Sequence, residues 1–389
     1  MEFRFTPADE AFRQRAVEFI EQNWEPAPYQ PGDNVAAHEA TRAYETRLAQ
    51  HGWLTMAWPQ EYGGQSASHV QQLIFREESA YRGAPTGGGG VAMVGPCLMV
   101  HGTEEQKQRF LPGIAQAEVD WAQGFSEPGS GSDLASLQTR AVRDGDDFVI
   151  NGQKIWTSGA HHADWIHVLC RTDPDAPKHR GISYFLVDMK TPGIEVRPLI
   201  NMLDEHSFNE TYFTDVRVPA DQMLGEENRG WYTAATLLDF ERSGVGYSAS
   251  GRRNVENLTR WAKKTTRGRG TVWDDPAVQN KIAELWIETE VSRLISYRVV
   301  WMQAEGRLPN YEASMSKAYG TELGQRIARF GINLLGLNGQ RTDPNDTAAP
   351  INADFGRSYM SSVAATIAAG TSEIQRNIIA TRGLGLPRQ

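Results

Sequence analysis

Apolar positions recur near helical spacing over the first third of the chain, at Phe12, Val17 and Ile20 among others, until a Pro/Gly-rich break at Pro26 to Gly32. Residues three or four apart share a helix face, so this pattern predicts a helical domain over residues 1–120. From about Trp121 to Asn228 the period changes. Ile182 to Asp188 and Thr211 to Val218 are β-rich with partial alternation, and Asp144-Gly145 and Asn151-Gly152 are dipeptides that favour tight hairpin turns. A small antiparallel β-domain over 121–228 is the expectation. Beyond Trp231 the helical period returns. Ile282, Leu285, Thr289, Ser292 and Val299 fall on one side of a helix that Asp275 caps and Pro276 opens. Long helices in series over 229–389 predict a bundle, and the fold class is mostly α with a central antiparallel β-domain.

Composition narrows what such a chain does. At 389 residues it exceeds the size at which one core keeps growing, so two or three substructures are expected. A net charge of −9 argues against nucleic acid as a partner. No apolar run approaches the ~20 residues of a membrane span, and the N-terminus is too charged for a secretory signal, so a cytoplasmic location is expected. Cys97 and Cys170 are too few for a disulfide framework and read as buried packing thiols.

Candidate chemistry sits in two segments of the β-domain. Gly124-Phe125-Ser126-Glu127-Pro128-Gly129-Ser130-Gly131-Ser132-Asp133-Leu134 packs hydroxyls and flexible backbone into a turn between apolar runs, as an oxygen-rich cofactor requires. Lys154-Ile155-Trp156-Thr157-Ser158-Gly159 supplies a planar aromatic followed by two hydroxyls, suited to an isoalloxazine ring and its polar edge. Two other motifs carry less. Gly87 to Gly90 has no strand before it and no GxGxxG spacing, so it reads as a bend between helices, and the nicotinamide fingerprint is absent. His161, His162 and His167 lack a Cys or carboxylate at metal-site spacing, so no metal is expected.

The two segments together resemble the flavin-binding signatures of the acyl-CoA dehydrogenase family, and the resemblance runs along nearly the whole chain. Gly52-Trp53, Trp58-Pro59 and Glu61-Tyr62-Gly63-Gly64 look like the family's N-terminal block. Gly102-Thr103-Glu104-Glu105-Gln106-Lys107 with Leu111-Pro112, and Asp215-Val216-Arg217-Val218-Pro219 with Leu224-Gly225, look like the blocks around its central domain. Ala369-Gly370-Thr371-Ser372-Glu373-Ile374-Gln375-Arg376 is similar to its closing signature. The resemblance implies a helical domain, a β-barrel-like domain and a four-helix bundle. It also implies FAD as cofactor and an acyl-CoA substrate oxidised to a 2-enoyl-CoA. An electron-transfer flavoprotein would be the electron acceptor and a homotetramer, a dimer of dimers, the assembly, with a heterotetramer as the alternative.

Residue by residue, the resemblance assigns flavin contacts to Ser126, Gly131, Ser132, Trp156, Ser158, Thr371 and Glu373, and an oxyanion donor to the backbone N–H of Ala369. Many relatives carry their catalytic glutamate where this chain has Ala369, and alanine cannot take a proton. In isovaleryl-CoA and long-chain relatives the base comes from the helix opening the bundle, within a Glu-Arg pair. Glu241 and Arg242 match that pair. Typical relatives also hold the adenosine end of FAD with Arg-x-x-Phe-Gly and a downstream glutamine. This chain reads Lys264-Thr265-Thr266-Arg267-Gly268-Arg269-Gly270, with Pro276 near the glutamine's place, leaving Arg267 and Arg269 to meet a pyrophosphate. Asn333-Leu334-Leu335-Gly336-Leu337-Asn338-Gly339 partly matches the glycine-rich segment, which makes Asn333 and Gly336 further cofactor candidates. These departures resemble bacterial members acting on bulky or sterol-derived acyl-CoAs, some of which pair two unlike subunits. Two alternatives remain at this point: a flavin monooxygenase or nitroalkane-oxidising relative, and a non-catalytic partner subunit of a heteromeric dehydrogenase.

Overall fold

The computed structural model describes residues 5–236 and 243–387. Its α-helices are α1 (Pro7–Asn23), α2 (Val35–Gln50), α3 (His69–Arg82), α4 (Gly95–His101), α5 (Glu104–Ala115), α6 (Gly230–Ala235), α7 (Val245–Lys264), α8 (Pro276–Ala304), α9 (Tyr311–Leu335), α10 (Asp354–Ala365) and α11 (Ser372–Ile378). Its strands are β1 (Trp121–Gly124), β2 (Arg140–Asp144), β3 (Asp147–Lys154), β4 (Trp165–Arg171), β5 (Ile182–Asp188), β6 (Ile194–Ile200), β7 (His206–Pro219), β8 (Thr266–Arg267) and β9 (Gly270–Thr271). Two compact units result, each discontinuous in sequence. Met1–Tyr29, Ser68–Ala84 and Arg242–Gln389 form one, and Gln30–Ala67 with Pro85–Glu241 form the other. The helices of the first 120 residues therefore divide between them.

In the first unit local chemistry fixes where helices begin. Thr6 and Asp9 form a capping box at α1, as Ser68 and Gln71 do at α3, each satisfying N–H groups that a helix start leaves unpaired. Asp275 caps α8, accepting from the Ala277 N–H, with Pro276 at the first turn as expected. Ile282, Leu285, Thr289, Ser292 and Val299 are all buried, so the helical period did mark the inner face. Helices α7, α8 and α9 pack on one another, and α3 joins α7 and α8. Their core holds Val255, Leu258, Ile282, Leu285, Ile327 and Phe355. Gly331 lets α10 approach α9 closely: a Cβ there would stand 2.0 Å from Phe355 Cδ1. A polar network lies among α1, α3 and α8, where Glu77 accepts from Arg13 at 2.9 Å and from the Tyr297 hydroxyl at 2.9 Å.

The second unit is built on a seven-stranded sheet in the order β1-β4-β2-β3-β7-β6, with β5 added on β4. Pairing is antiparallel except where β4 runs parallel to β1 and β2. Side chains alternate across the central strands. Leu169, Ile182, Tyr184 and Leu186 face a core shared with Leu98, Phe110, Leu111 and Ile114 of α4 and α5. Ile166, Val168, Phe185 and Val187 face a second core with Phe148, Ile150, Phe213 and Val216. Both faces of β4 and β5 are thus buried, which is why they read as nearly continuous apolar runs. Asp144-Gly145 does make the hairpin between β2 and β3, with Gly145 at φ +65°. Asn151-Gly152 does not make a turn. It lies inside β3, where the register against β7 shifts between Ile150 and Gly152, and a Cβ on Gly152 would fall 2.7 Å from the Thr139 Cα. Close approach of a neighbouring backbone, and not a turn, demands that glycine. Gly87 lies in the connection ahead of α4, while Gly89 and Gly90 already begin the helical turns that lead into it. Among the described residues no helix is long and apolar enough to cross a membrane, and Cys97 and Cys170 are buried thiols that form no disulfide there.

Candidate functional site

The glycine- and serine-rich loop leaves β1 at Gly124, and the Trp156 segment leaves β3 at Lys154, so the sheet itself brings the two together. The Ile155 N–H donates to Ser126 O at 2.9 Å. Within the loop, Glu127 and Ser130 exchange backbone hydrogen bonds of 2.8 and 3.0 Å around Pro128-Gly129, a tight turn. The Ser130 hydroxyl is spent inside it, 3.1 Å from both Asp133 O and Leu134 O. Ser126 is half-buried; Gly131, Ser132 and Ser158 are exposed. Among the described residues no internal hydrogen bond uses the hydroxyls of Ser126, Ser132 or Ser158.

Trp156 stands in the left-handed region at φ +59° and is 60% exposed, with Phe208 meeting it edge-on at 6.1 Å. Its neighbours are pinned. The Thr157 N–H donates to Asn209 O at 3.0 Å, and the Asn209 side-chain amide donates back to Thr157 O at 3.0 Å. Strained backbone, an open indole face and unspent hydroxyls suit a planar, oxygen-rich ligand, so these residues fit a flavin.

Sequence reasoning missed what anchors this corner. Lys154 is wholly buried, and its ammonium donates to Glu127 Oε1 at 2.8 Å and to Phe125 O at 3.1 Å. Glu127 also accepts from the N–H groups of Gln138 at 2.6 Å and Thr139 at 2.8 Å. Burial raises the Glu127 pKa, but Lys154 and these N–H groups outweigh it and hold the carboxyl below its ordinary range. Both residues lie inside the quoted motifs, but they stand 27 positions apart, and their burial and pairing become visible only in the fold.

In the helical unit the closing signature forms a tight turn ahead of α11. Ala369 and Gly370 have φ +53° and +86°. Their carbonyls are held: Gln375 Nε2 lies 3.1 Å from Ala369 O, and Lys317 Nζ lies 2.7 Å from Gly370 O. The Ala369 N–H makes no hydrogen bond among the described residues. Thr371 caps α11 by accepting from the Ile374 N–H. Thr371 and Glu373 line a cleft of about 440 Å³ together with Arg326, Arg329 and Arg376. Arg326 is paired with Glu288 at 3.2 Å and Arg376 with Glu322 at 2.8 Å. Arg326 and Arg329, three apart on α9, are further residues that the sequence reading did not single out.

Other expected site residues stand elsewhere in this unit. Arg267 and Arg269 are exposed on the β8–β9 hairpin, with Arg267 3.6 Å from Asp275. Asn333 and Gly336 are exposed at the end of α9, and Gly336 lies ten residues past Arg326, about 15 Å along a helix. Neither pair lines the cleft. Glu241 and Arg242 lie outside the described residues.

The sheet unit also gathers Asp33, His161 and His206, whose donor atoms lie within 4.8 Å of one another, a set of distant positions that spacing could not reveal. The His161 and His206 rings stack at 3.8 Å and 19°. Stacked rings aim their in-plane lone pairs side by side, not at one point. Asn209 moreover engages His161 Nδ1 at 3.0 Å and His206 Nε2 at 2.7 Å. The arrangement is a histidine stack clamping the Trp156 segment through Asn209, and we assign it no metal.

Residues 6–118, 122–216 and 228–384 match the N-terminal, middle and C-terminal domains of acyl-CoA dehydrogenase. The chain belongs to the acyl-CoA dehydrogenase family. It is 37% identical over 363 residues to acyl-CoA dehydrogenase IpdE1 of Mycobacterium tuberculosis, covering 92% of this chain and 91% of that one. It is 36% identical to acyl-CoA dehydrogenase FadE26 of the same organism, over 100% of this chain and 99% of the other. Among solved structures it is similar to the ChsE4-ChsE5 complex from Mycobacterium tuberculosis, with a TM-score of 0.91 at 35% identity, and to the Tcur3481-Tcur3483 steroid ACAD, with 0.89 at 35%; each comparison covers 100% of both chains. Members of this family are oxidoreductases acting on CH–CH bonds.

Proposed function

We propose that this chain uses FAD to oxidise an acyl-CoA to a trans-2-enoyl-CoA and passes the electrons to an electron-transfer flavoprotein. The observation that carries the reading is the paired segment at 124–134 and 154–159, where an exposed Trp156 in strained backbone stands beside hydroxyls with no partner among the described residues. FAD, when bound, accepts the β-hydride. The chain's own residues supply the remaining chemistry. An unspent N–H at Ala369, in a turn whose carbonyls are tied back by Lys317 and Gln375, is suited to stabilise the negative charge that develops on the thioester oxygen. Ala369 cannot remove the α-proton, so that task falls to Glu241 with Arg242 beside it, a role that rests on the Glu-Arg pair in the sequence. Three arginines around Thr371 and Glu373 suit phosphate oxygens, and Arg267 and Arg269 suit the pyrophosphate of a flavin held partly by a neighbouring subunit.

A bulky, ring-bearing acyl group is the favoured substrate. A relative described as a steroid ACAD supports this, as does the missing side chain at Ala369. For the assembly, Ile287, Val291 and Leu294 form an exposed apolar strip at helical spacing on α8, which supports burial against a second chain in a tetramer. The similar ChsE4-ChsE5 complex joins two proteins, which supports a second reading in which this chain is one half of a heteromeric dehydrogenase. Expressing the chain alone and measuring FAD per chain tests both. FAD bound by the chain alone supports the first reading. A folded chain that gains FAD only on mixing with an unlike subunit replaces it with the second, and rapid reoxidation of reduced flavin by oxygen would point to a monooxygenase.

A further inference from the structure

We propose that Lys154 and Glu127 are positioning residues for the flavin, a buried ion pair that sets the spacing between the Ser126 loop and Trp156; this rests on the flavin reading above. Lys154 ends β3 and is held in the ladder opposite Thr211 of β7, so its backbone belongs to the rigid sheet. Two residues later comes Trp156. From that fixed base the ammonium reaches Phe125 O and Glu127 Oε1, the residues on either side of Ser126. Glu127 in turn closes the far end of the loop through the N–H groups of Gln138 and Thr139. One carboxylate thus accepts three convergent donors, and one ammonium connects the loop to the strand that carries the indole.

Stability alone does not explain the pair. Two buried charges lose hydration that their attraction only partly repays, and an apolar replacement of similar volume is often as stable. Directed charge does what an apolar contact cannot, since it fixes distance and orientation at several atoms at once. Without the ammonium, a buried Glu127 carboxylate would be left short of a counter-charge, and the loop must open to hydrate it. Ser126 then moves relative to Trp156, while the open indole face remains.

The test compares apoprotein and FAD-loaded protein for Lys154→Met and for Glu127→Asp, which keeps the charge but shortens its reach. FAD affinity is read by titration, flavin environment by visible absorption and circular dichroism, and fold by the thermal unfolding of the apoprotein. Groups that orient a binding shell typically contribute 10- to 100-fold in affinity, so Lys154→Met should raise the FAD Kd at least about tenfold and shift the bound-flavin spectrum in the folded protein. Glu127→Asp should do the same to a smaller degree. A pair that only stabilises would lower the unfolding temperature and leave Kd and spectrum unchanged, which would overturn the proposal. If Lys154→Met does not fold, Glu127→Asp decides on the same readouts. Wild-type protein that takes up no FAD, alone or mixed with an unlike subunit, would refute the flavin reading instead.

Discussion

His167 makes the pH dependence of stability predictable. Its ring is wholly buried on β4 against Phe125 and Tyr184, with the Tyr184 hydroxyl 2.6 Å from Nδ1 and no partner for Nε2 among the described residues. A charged imidazolium there would leave an N–H without an acceptor in an apolar core. Burial accordingly lowers the His167 pKa from 6.5 to about 3. The folded chain therefore binds fewer protons at this site than the unfolded chain between those two values, so stability is present above about pH 6.5 and falls as pH drops toward 3. Between pH 7 and pH 5 the unfolded ring takes up its proton while the folded ring does not, which costs about 2 kcal/mol of stability. Replacing His167 with Asn removes the titration and keeps an acceptor near Tyr184. Urea unfolding of the apoprotein at pH 7 and pH 5 gives the loss for each form. The variant should be weaker at pH 7, yet its loss between the two pH values should be smaller than the wild type's by about 2 kcal/mol. Equal losses would mean that the ring titrates alike in the folded and unfolded states, against this prediction.

Glu45 should act in the opposite sense: burial first, then Asp120, raises its pKa from 4.5 to about 7 against the pull of Arg42, so its contribution is lost as pH rises, and Glu45→Gln should gain about 3 kcal/mol relative to wild type at pH 8 but little at pH 4. Equal stability changes at both pH values would exclude that titration. Glu241→Gln keeps side-chain size but cannot take the α-proton, and should lower kcat at least ~10²-fold with FAD still bound; full activity by ferrocenium reduction would remove Glu241 as the base. Light scattering on the holoprotein should report a tetramer, and a stable monomer with full FAD would count against the strip on α8 as an interface.

Where neighbours in sequence decide, the sequence was readable. The inner face of α8 and its Asp275-Pro276 start follow from local period and capping, and they stand as expected. Asp144-Gly145 and Asn151-Gly152 carry the same local signal, but only the first is a turn. The second is set by Thr139, just ahead of β2, pressing on Gly152, a contact no dipeptide encodes. Long-range assembly hid other features for the same reason. Asp33 meets His161 and His206 only once the sheet forms, and Arg326 and Arg329 become a cleft wall only when α11 packs on α9. Lys154 and Glu127 were in view within their motifs, yet reading those segments for ligand contacts passed over the two residues that face inward.

Removal of hydrogen from the α- and β-carbons of an acyl-CoA is the activity proposed for this chain. The most direct measurement is anaerobic mixing of FAD-loaded protein with straight, branched, aromatic and steroid acyl-CoAs, following the visible flavin absorption and the mass of the thioester. A bulky acyl-CoA should bleach the flavin and leave as an enoyl-CoA lighter by two hydrogens, with butyryl-CoA among the poorest of the set. Flavin that stays oxidised with every thioester, or bleaches without forming an enoyl-CoA, would contradict it.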